Sequence, residues 1–243
     1  MIKFINKNIN GTDYICSDIH GHFYLLEEEL KRVGFKEETD RLFSLGDLID
    51  RGDDSGQVLE WLKKPWFYAI QGNHERMLIN AFESQSNILR HQWFAWGGEW
   101  AEDMTDEEIE PFYNALSVLP IAIDIELVNG LHVGLIHAER PNTCDWGSVI
   151  SLLQSAKPSD VESNREISDL LWKRSQAFST IDEVLNIELV TNINHVFHGH
   201  AIVLDYHTIT NRTFMDLGSY DSGKIGFIEP VSFLGSQLIG SQA

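Results

Sequence analysis

Cysteine is scarce in this sequence, with two residues, Cys16 and Cys144, among 243. They form no CxxC pair, so the sequence excludes a disulfide framework and a thiolate zinc site. Cys16 lies in an apolar run, and we interpret it as a small buried hydrophobic residue. This cysteine content is typical of a protein from a reducing compartment.

Positive charge is scarce as well. Lys and Arg number 18 against 37 Asp and Glu, which gives a formal net charge of −19. No run of basic residues is longer than two, so we expect no nucleic-acid partner. The sequence also lacks an apolar run near the roughly 18 to 20 residues of a membrane span, and its start lacks the apolar core of a signal peptide. We expect no membrane partner and a soluble, cytoplasmic protein.

Apolar strands that lead into polar turns and helical patterns dominate the first part of the chain. The pattern occurs three times, at residues 12–34, 41–64 and 65–83. Such alternation predicts an α/β fold with helices packed on the faces of a sheet. With six prolines, no repeat and no Gly/Ser-rich linker, we expect one domain over residues 1–243.

After residue 90 the sequence pattern becomes helical, and after residue 120 it becomes strand-like. Residues 90–120 are helical in pattern and rich in tryptophan, and we interpret Trp93, Trp96 and Trp100 as core residues because no basic residues interleave with them. Asn129-Gly130 separates two alternating segments and predicts a β-hairpin. Residues 194–230 then predict three or four short strands.

Five polar clusters end or follow the predicted strands, where ligand sites of α/β sheets gather. They are Asp18-Ile-His20, Gly46-Asp47-Leu-Ile-Asp50-Arg51-Gly, Gly72-Asn73-His74-Glu75, His137-Ala and Gly199-His200-Ala. Their oxygen and nitrogen donors suit a first-row divalent cation such as manganese, iron or zinc. The number of donors suggests two cations, which Asp47 could bridge at about 3.5–4 Å separation.

These clusters resemble a known family, the phosphoprotein phosphatase group of metallophosphoesterases. SDIHG, GDLIDRG, GNHE, HA and GHA occur in the order of the family motifs GDxHG, GDxxDRG, GNHE, HA and GHT. PWFYAIQGNHERM, Gly97-Gly98 and LLWKR are most similar to the branch that holds bacteriophage lambda phosphatase and its bacterial relatives. The resemblance implies a calcineurin-like metallophosphoesterase fold, a mixed β-sandwich core flanked by helices.

The resemblance also implies a role for each matching position. One metal would be held by Asp18, His20 and Asp47, and the other by Asp47, Asn73, His137 and His200. The metals would be two divalent ions, Mn²⁺ first, with Fe, Zn or Ni as alternatives. A hydroxide between them would attack phosphorus in line. The remaining positions imply His74 as general acid, Asp50 as its partner, and Arg51 and Arg174 as the phosphate clamp.

Three segments depart from the family pattern. Ser17 replaces the glycine before the first Asp, Ala201 replaces the threonine after the last His, and DLGS at 216–219 replaces DTGA. None is an implied ligand, so the departures bear on metal preference or substrate orientation.

The function implied is phosphomonoester hydrolysis. The first expected substrates are phosphoserine and phosphothreonine in proteins, and phosphotyrosine is a further candidate substrate. Two alternatives stay open. Related bacterial enzymes hydrolyse dinucleoside polyphosphates with the same motifs, and a non-catalytic acidic binding protein could keep the fold. The sequence carries no signal for an oligomer, and we take a monomer as the default.

Overall fold

The computed structural model describes residues 1–139, 145–178 and 187–240. Within them the chain forms ten strands in two sheets, with helices on both outer faces. The strands are β1 (Ile2–Ile5), β2 (Asp13–Cys16), β3 (Arg41–Ser44), β4 (Phe67–Ala69), β5 (Ala122–Glu126), β6 (His132–Ile136), β7 (His195–His198), β8 (His207–Ile209), β9 (Arg212–Phe214) and β10 (Phe227–Ile228).

The four-stranded sheet has the order β10-β2-β3-β4. Strands β2, β3 and β4 are parallel, and β10 pairs antiparallel with β2. The polar turns after β2, β3 and β4 therefore leave the sheet at the same edge. This brings the SDIHG, GDLIDRG and GNHE segments together.

The six-stranded sheet has the order β1-β5-β6-β7-β9-β8. Strands β5 and β6 form the predicted hairpin, with Asp124 opposite Gly134 in the register. Strands β6 and β7 are parallel, so the residues after them, His137 and His200, also leave the sheet at one edge. Strand β1 pairs parallel with β5 and has no counterpart among the sequence-based expectations.

The helices lie outside this sandwich. They are α1 (Phe23–Val33), α2 (Val58–Trp61), α3 (Asn73–Ser84), α4 (Asn87–Trp93), α5 (Asp106–Leu116), α6 (Trp146–Ser155), α7 (Asp160–Ser163), α8 (Arg165–Trp172), α9 (Ser219–Ser222) and α10 (Pro230–Gly240). Among the described residues, no helix has the length and apolar character needed to cross a membrane.

Alternation along the strands builds three hydrophobic layers. Ile15 and Phe43 of the four-stranded sheet and Ile123 of the six-stranded sheet meet in the central layer. Leu42 faces the opposite way, toward α1 to α5. Ala122 belongs to the third layer, with α6 and α8. The mixed β-sandwich flanked by helices is thus the arrangement that the sequence led us to expect.

Two helix ends carry well-defined caps, and one prediction about the tryptophans is wrong. Helix α1 ends at Gly34 in the left-handed conformation, and Thr105 and Glu108 form the capping box of α5. Trp93 is buried as expected, but Trp96 is 56% exposed. The reason is the break after α4, where a π-helical turn, Phe94–Gly98, changes which side chains face the core.

Candidate metal centre and catalytic site

Turns at the strand ends place the predicted site residues. Each of the six predicted metal ligands is at most 4% exposed, and they are Asp18, His20, Asp47, Asn73, His137 and His200. Five predicted site residues adopt positive φ angles, at His20, Asp47, Asp50, Arg51 and His200. Non-glycine residues rarely adopt this conformation, and such strain is concentrated at functional sites.

Gly72 and Gly199 let the backbone pass close to the carboxylates of Asp47 and Asp18. A Cβ added to Gly72 would lie 2.1 Å from Oδ1 of Asp47, and one added to Gly199 would lie 2.1 Å from Oδ1 of Asp18. Both distances are far below van der Waals contact. Glycine is therefore required at the position before Asn73 and at the position before His200.

Asp47 lies between histidines that follow strands of the two different sheets. Its Oδ2 is 3.6 Å from Nε2 of His20 and 3.4 Å from Nε2 of His137. Its Oδ1 accepts a hydrogen bond of 3.0 Å from the backbone N–H of His74. Although burial raises it, the charges of His137 and His74 hold the pKa of Asp47 well below its usual range. An ionised Asp47 can thus face both predicted cation positions.

Donor atoms gather on either side of Asp47. On one side, ligand atoms of His20, Asp47 and His74 lie within 4.8 Å of one another, and on the other side those of Asp47, His137 and His200 do so. Asp18 lies outside both groups, and its carboxylate accepts from the backbone N–H of His200 at 3.0 and 3.1 Å. The structure thus brings most predicted ligands together around Asp47.

The histidine tautomers suit metal binding. His20 Nδ1 lies 3.1 Å from the carbonyl of Ile49, and His137 Nδ1 lies 2.7 Å from that of Leu45. Donation from Nδ1 leaves the Nε2 lone pair of each ring as the ligand atom. Nε2 of His137 then faces Oδ1 of Asn73 at 3.0 Å. Two acceptors at this distance need a positive charge between them or a proton on the ring.

The electrostatics of the site also favour cations. Although burial lowers it, the charge of Asp47 and a hydrogen bond donated to Asp47 by the ring raise the pKa of His137 to about 9. Burial, followed by the charge of Asp216, raises the pKa of Asp18 well above its usual range. Three buried carboxylates in one place repel one another, and a divalent cation would relieve that repulsion. The donor set therefore fits a metal centre.

His74 and Asp50 form a buried pair beside this centre. His74 Nδ1 lies 2.8 Å from Oδ2 of Asp50, and both side chains are fully buried. Nε2 of His74 is a buried nitrogen without a hydrogen-bond partner among the described residues. One nitrogen is thus fixed by a carboxylate, and the other is available to a substrate.

Both predicted clamp arginines reach the site. Arg51 Nη1 lies 2.7 Å from Nε2 of His20, and its guanidinium lies 4.2 Å from the ring centroid of Tyr220. Arg174, which follows α8, donates from Nε to Nε2 of His200 at 2.9 Å. His200 Nε2 also lies 3.1 Å from the carbonyl of Trp172, and its Nδ1 is buried without a described partner. Nε2 can serve only one of these two partners. A proton donated to the carbonyl of Trp172 would release Arg174 and leave Nδ1 as the ligand atom.

Sequence reasoning missed several residues that support the site. Glu75, fully buried, accepts from the backbone N–H groups of Gly72, Asp47 and Leu48 at 2.7, 2.8 and 2.7 Å. Burial, and then the charge of Asp47, raises the pKa of Glu75 to about 7. Trp93 and Trp100, predicted as core, donate to Asp50. The position of Glu75 within GNHE was the available signal.

Two of the departures from the family pattern have clear surroundings. The hydroxyl of Ser17 accepts from the backbone N–H of Gly226 at 2.9 Å, so it joins the end of β2 to the segment before β10. Ala201 is buried in a small apolar cluster with Ala177 and Phe214. Asp216, from DLGS, is 2% exposed, and burial raises its pKa to about 6. His198 is buried, and its ring stacks on Phe214.

Comparison with known proteins decides the family. The family model described as calcineurin-like phosphoesterase matches residues 14–204. The chain belongs to the calcineurin-like phosphoesterase family. The phosphoesterase is 32% identical over 232 residues to serine/threonine-protein phosphatase 2 of Escherichia coli strain K12, with 91% of this chain and 95% of the relative covered. The protein of the same name from Salmonella typhimurium is 29% identical over 229 residues, covering 93% and 95%.

Solved structures agree on the fold. A protein serine/threonine phosphatase from Saccharomyces cerevisiae has a TM-score of 0.62 at 18% identity, with 88% of this chain and 70% of that chain covered. A putative diadenosine tetraphosphatase has a TM-score of 0.61 at 21% identity, covering 93% and 92%. The expected family and fold are therefore confirmed.

Proposed function

We propose that this phosphoesterase hydrolyses phosphoserine and phosphothreonine in proteins, with two Mn²⁺ ions as its metals. The observation that carries the proposal is the convergence of both sheets on Asp47, whose Oδ2 lies within 3.6 Å of imidazole nitrogens from each side. The names of the Escherichia coli and Salmonella relatives support the protein substrate. The ligands span residues 18 to 200, which supports one catalytic domain over the whole chain.

Asp18, His20 and Asp47 would hold one cation, and Asp47, Asn73, His137 and His200 the other. Cations bound there would neutralise phosphate charge and lower the pKa of an attacking water molecule. The nitrogen lone pair of His20 accepts one partner at a time. Metal binding at this nitrogen would therefore release Arg51, which lies 2.7 Å from it, to bind a phosphoryl oxygen.

The chain's own residues complete the reaction. His74 would donate a proton from Nε2 to the leaving alkoxide, while Asp50 holds Nδ1 and fixes the ring. Arg51 and Arg174 would bind the nonbridging oxygens and stabilise the charge of the transition state. All of these groups recognise the reacting phosphate, so the identity of the attached alcohol depends on the surrounding surface.

The decisive experiment uses metal-free full-length protein resupplied with Mn²⁺. Phosphate release is measured from a phosphoserine peptide, a phosphotyrosine peptide and diadenosine tetraphosphate in parallel. The proposal predicts faster turnover of the phosphoserine peptide. A preference for the dinucleotide would replace the protein substrate while retaining the phosphoesterase chemistry, and turnover of none of them with metal bound would contradict the proposal.

A further inference from the structure

Asp50 is held by more than its histidine partner. The fully buried carboxylate accepts three side-chain N–H groups. His74 Nδ1 lies 2.8 Å from Oδ2, Trp93 Nε1 lies 2.9 Å from Oδ2, and Trp100 Nε1 lies 2.8 Å from Oδ1. Trp93 Nε1 also lies 3.1 Å from Oδ1. Both carboxylate oxygens are thus committed to fixed donors, as a buried charge requires.

Indole donors restrict this carboxylate in a particular way. An indole N–H donates and cannot accept, so each tryptophan defines where an Asp50 oxygen lies. The rings are themselves packed. Trp93 is 1% exposed, and its ring meets that of Trp100 edge to face at 6.2 Å and 83°. Trp100 packs against Phe112 at 5.1 Å.

The Gly97-Gly98 segment allows this arrangement. A Cβ on Gly98 would lie 2.6 Å from Nε1 of Trp93, at the atom that donates to Asp50. Gly97 adopts φ +116°, and its carbonyl accepts from the backbone N–H of Arg51 at 2.7 Å. The turn between the two tryptophans therefore supports the side chain of Asp50 and the backbone of the next residue together.

We propose that Trp93 and Trp100 are positioning residues for phosphoester hydrolysis, which hold Asp50 and through it the His74 ring, with Nε2 toward the leaving oxygen. This inference rests on the proposed function, in which His74 is the proton donor. A carboxylate with a single donor could rotate about its own bond, and the imidazole would follow it. Proton transfer is sensitive to such displacement, since small errors in distance and angle lower rates strongly.

The test replaces one indole N–H at a time while keeping an aromatic ring, in Trp100→Phe and Trp93→Phe. Mn²⁺-loaded protein is assayed with phenyl phosphate, whose leaving group needs a proton, and with p-nitrophenyl phosphate, whose leaving group needs it less. We expect kcat for phenyl phosphate to fall about tenfold, and kcat for p-nitrophenyl phosphate about twofold. KM and metal content should stay near those of the parent protein.

Trp146→Phe is the matched control. Trp146 is 1% exposed and donates at 2.8 Å to the carboxylate of Asp124, a residue of β5 that is 7% exposed. The substitution removes the same kind of indole–carboxylate hydrogen bond away from the predicted site residues. A loss of stability like that of the Trp100 variant, without any leaving-group dependence, is the expected result.

A second background separates positioning from general damage. In His74→Asn protein, adding Trp100→Phe should cause no further leaving-group-dependent loss, because the group being positioned is gone. An equal additional loss in that background would overturn the inference, as would equal losses on both substrates in Trp100→Phe. If the parent protein hydrolysed no phosphomonoester, the proposed function itself would fail.

Discussion

The two sheets support their share of the site in different ways. On the four-stranded side, Glu75 of α3 accepts from the turn after β3, and Asp50 of that turn accepts from α4 and from the segment beyond it. On the six-stranded side, Glu139 accepts from Ser175, Gln176 and Ala177, all in one segment. The first side is therefore braced from several elements, and Glu139 on the second is braced from a single distant segment.

This difference assigns different tasks to the two sides. Groups braced by several elements hold their positions within a narrow range, which proton transfer and metal bridging require. The six-stranded side contributes Arg174, an exposed residue that donates to His200. Bracing from a single segment there leaves room for sequence change near the substrate without disturbing the chemistry. The effects of substitutions on activity, metal binding and stability should consequently differ between the two sides.

The largest effect is expected from Asp47→Asn. Asp47 lies between both groups of donor atoms, so a neutral amide should weaken both metals together. We expect a loss of activity on the order of 10³-fold together with loss of bound metal, measured by phosphate release and elemental analysis. Asp53→Asn, at an exposed carboxylate in the same loop, is the control. Full metal content in the Asp47 variant would show that bridging is assigned to the wrong residue.

His74→Asn should cost less and act differently. We expect kcat to fall about 10²-fold while both metals stay bound, because His74 is assigned to proton transfer. Ligand atoms of His74 also lie within 4.8 Å of those of His20 and Asp47, so the elemental analysis is a sharp measurement here. Metal loss equal to that of the Asp47 variant would instead make His74 a ligand.

The bracing carboxylates provide a direct comparison of the two sides. In Glu75→Gln the new amide group would face backbone donors, and we expect about 2 kcal/mol of lost stability. In Glu139→Gln the amide can donate to the hydroxyl of Ser175, which lies 3.0 Å from Oε2, so about 1 kcal/mol is expected. Urea unfolding of the metal-loaded proteins measures both values. Equal losses would show that Glu75 braces its side of the site no more strongly than Glu139 braces the other.

The sequence was sufficient to predict that the proposed ligand residues lie together, because they follow strands, and parallel strands bring their ends to one edge. The alternation of apolar segments also predicted the hairpin and α1. These features are local in sequence. The residues whose pattern predicts each element are the same residues that form it, so a single sequence was enough to predict these elements.

The supporting contacts were not predictable in the same way. Trp93 and Trp100 lie 43 and 50 positions from Asp50, and a tryptophan serves equally well as core or as donor. Trp96 sits between them in a pattern that predicts burial, yet the π-helical turn exposes it. Such contacts depend on the packing of separate elements, which apolar periodicity does not encode.

The smallest expected effect is a difference in phosphate inhibition between variants of the two proposed clamp arginines. Arg51 is half-buried over Tyr220, and its backbone N–H donates to Gly97, whereas Arg174 is exposed. Preorganised charged donors bind more strongly, so inhibition by free phosphate should weaken about tenfold in Arg51→Ala and about threefold in Arg174→Ala. Arg165→Ala, which removes an exposed charge at the start of α8, controls for net charge. If all three variants bound phosphate as the parent does, neither arginine would be a clamp; if Arg174 dominated, the six-stranded side would carry phosphate recognition.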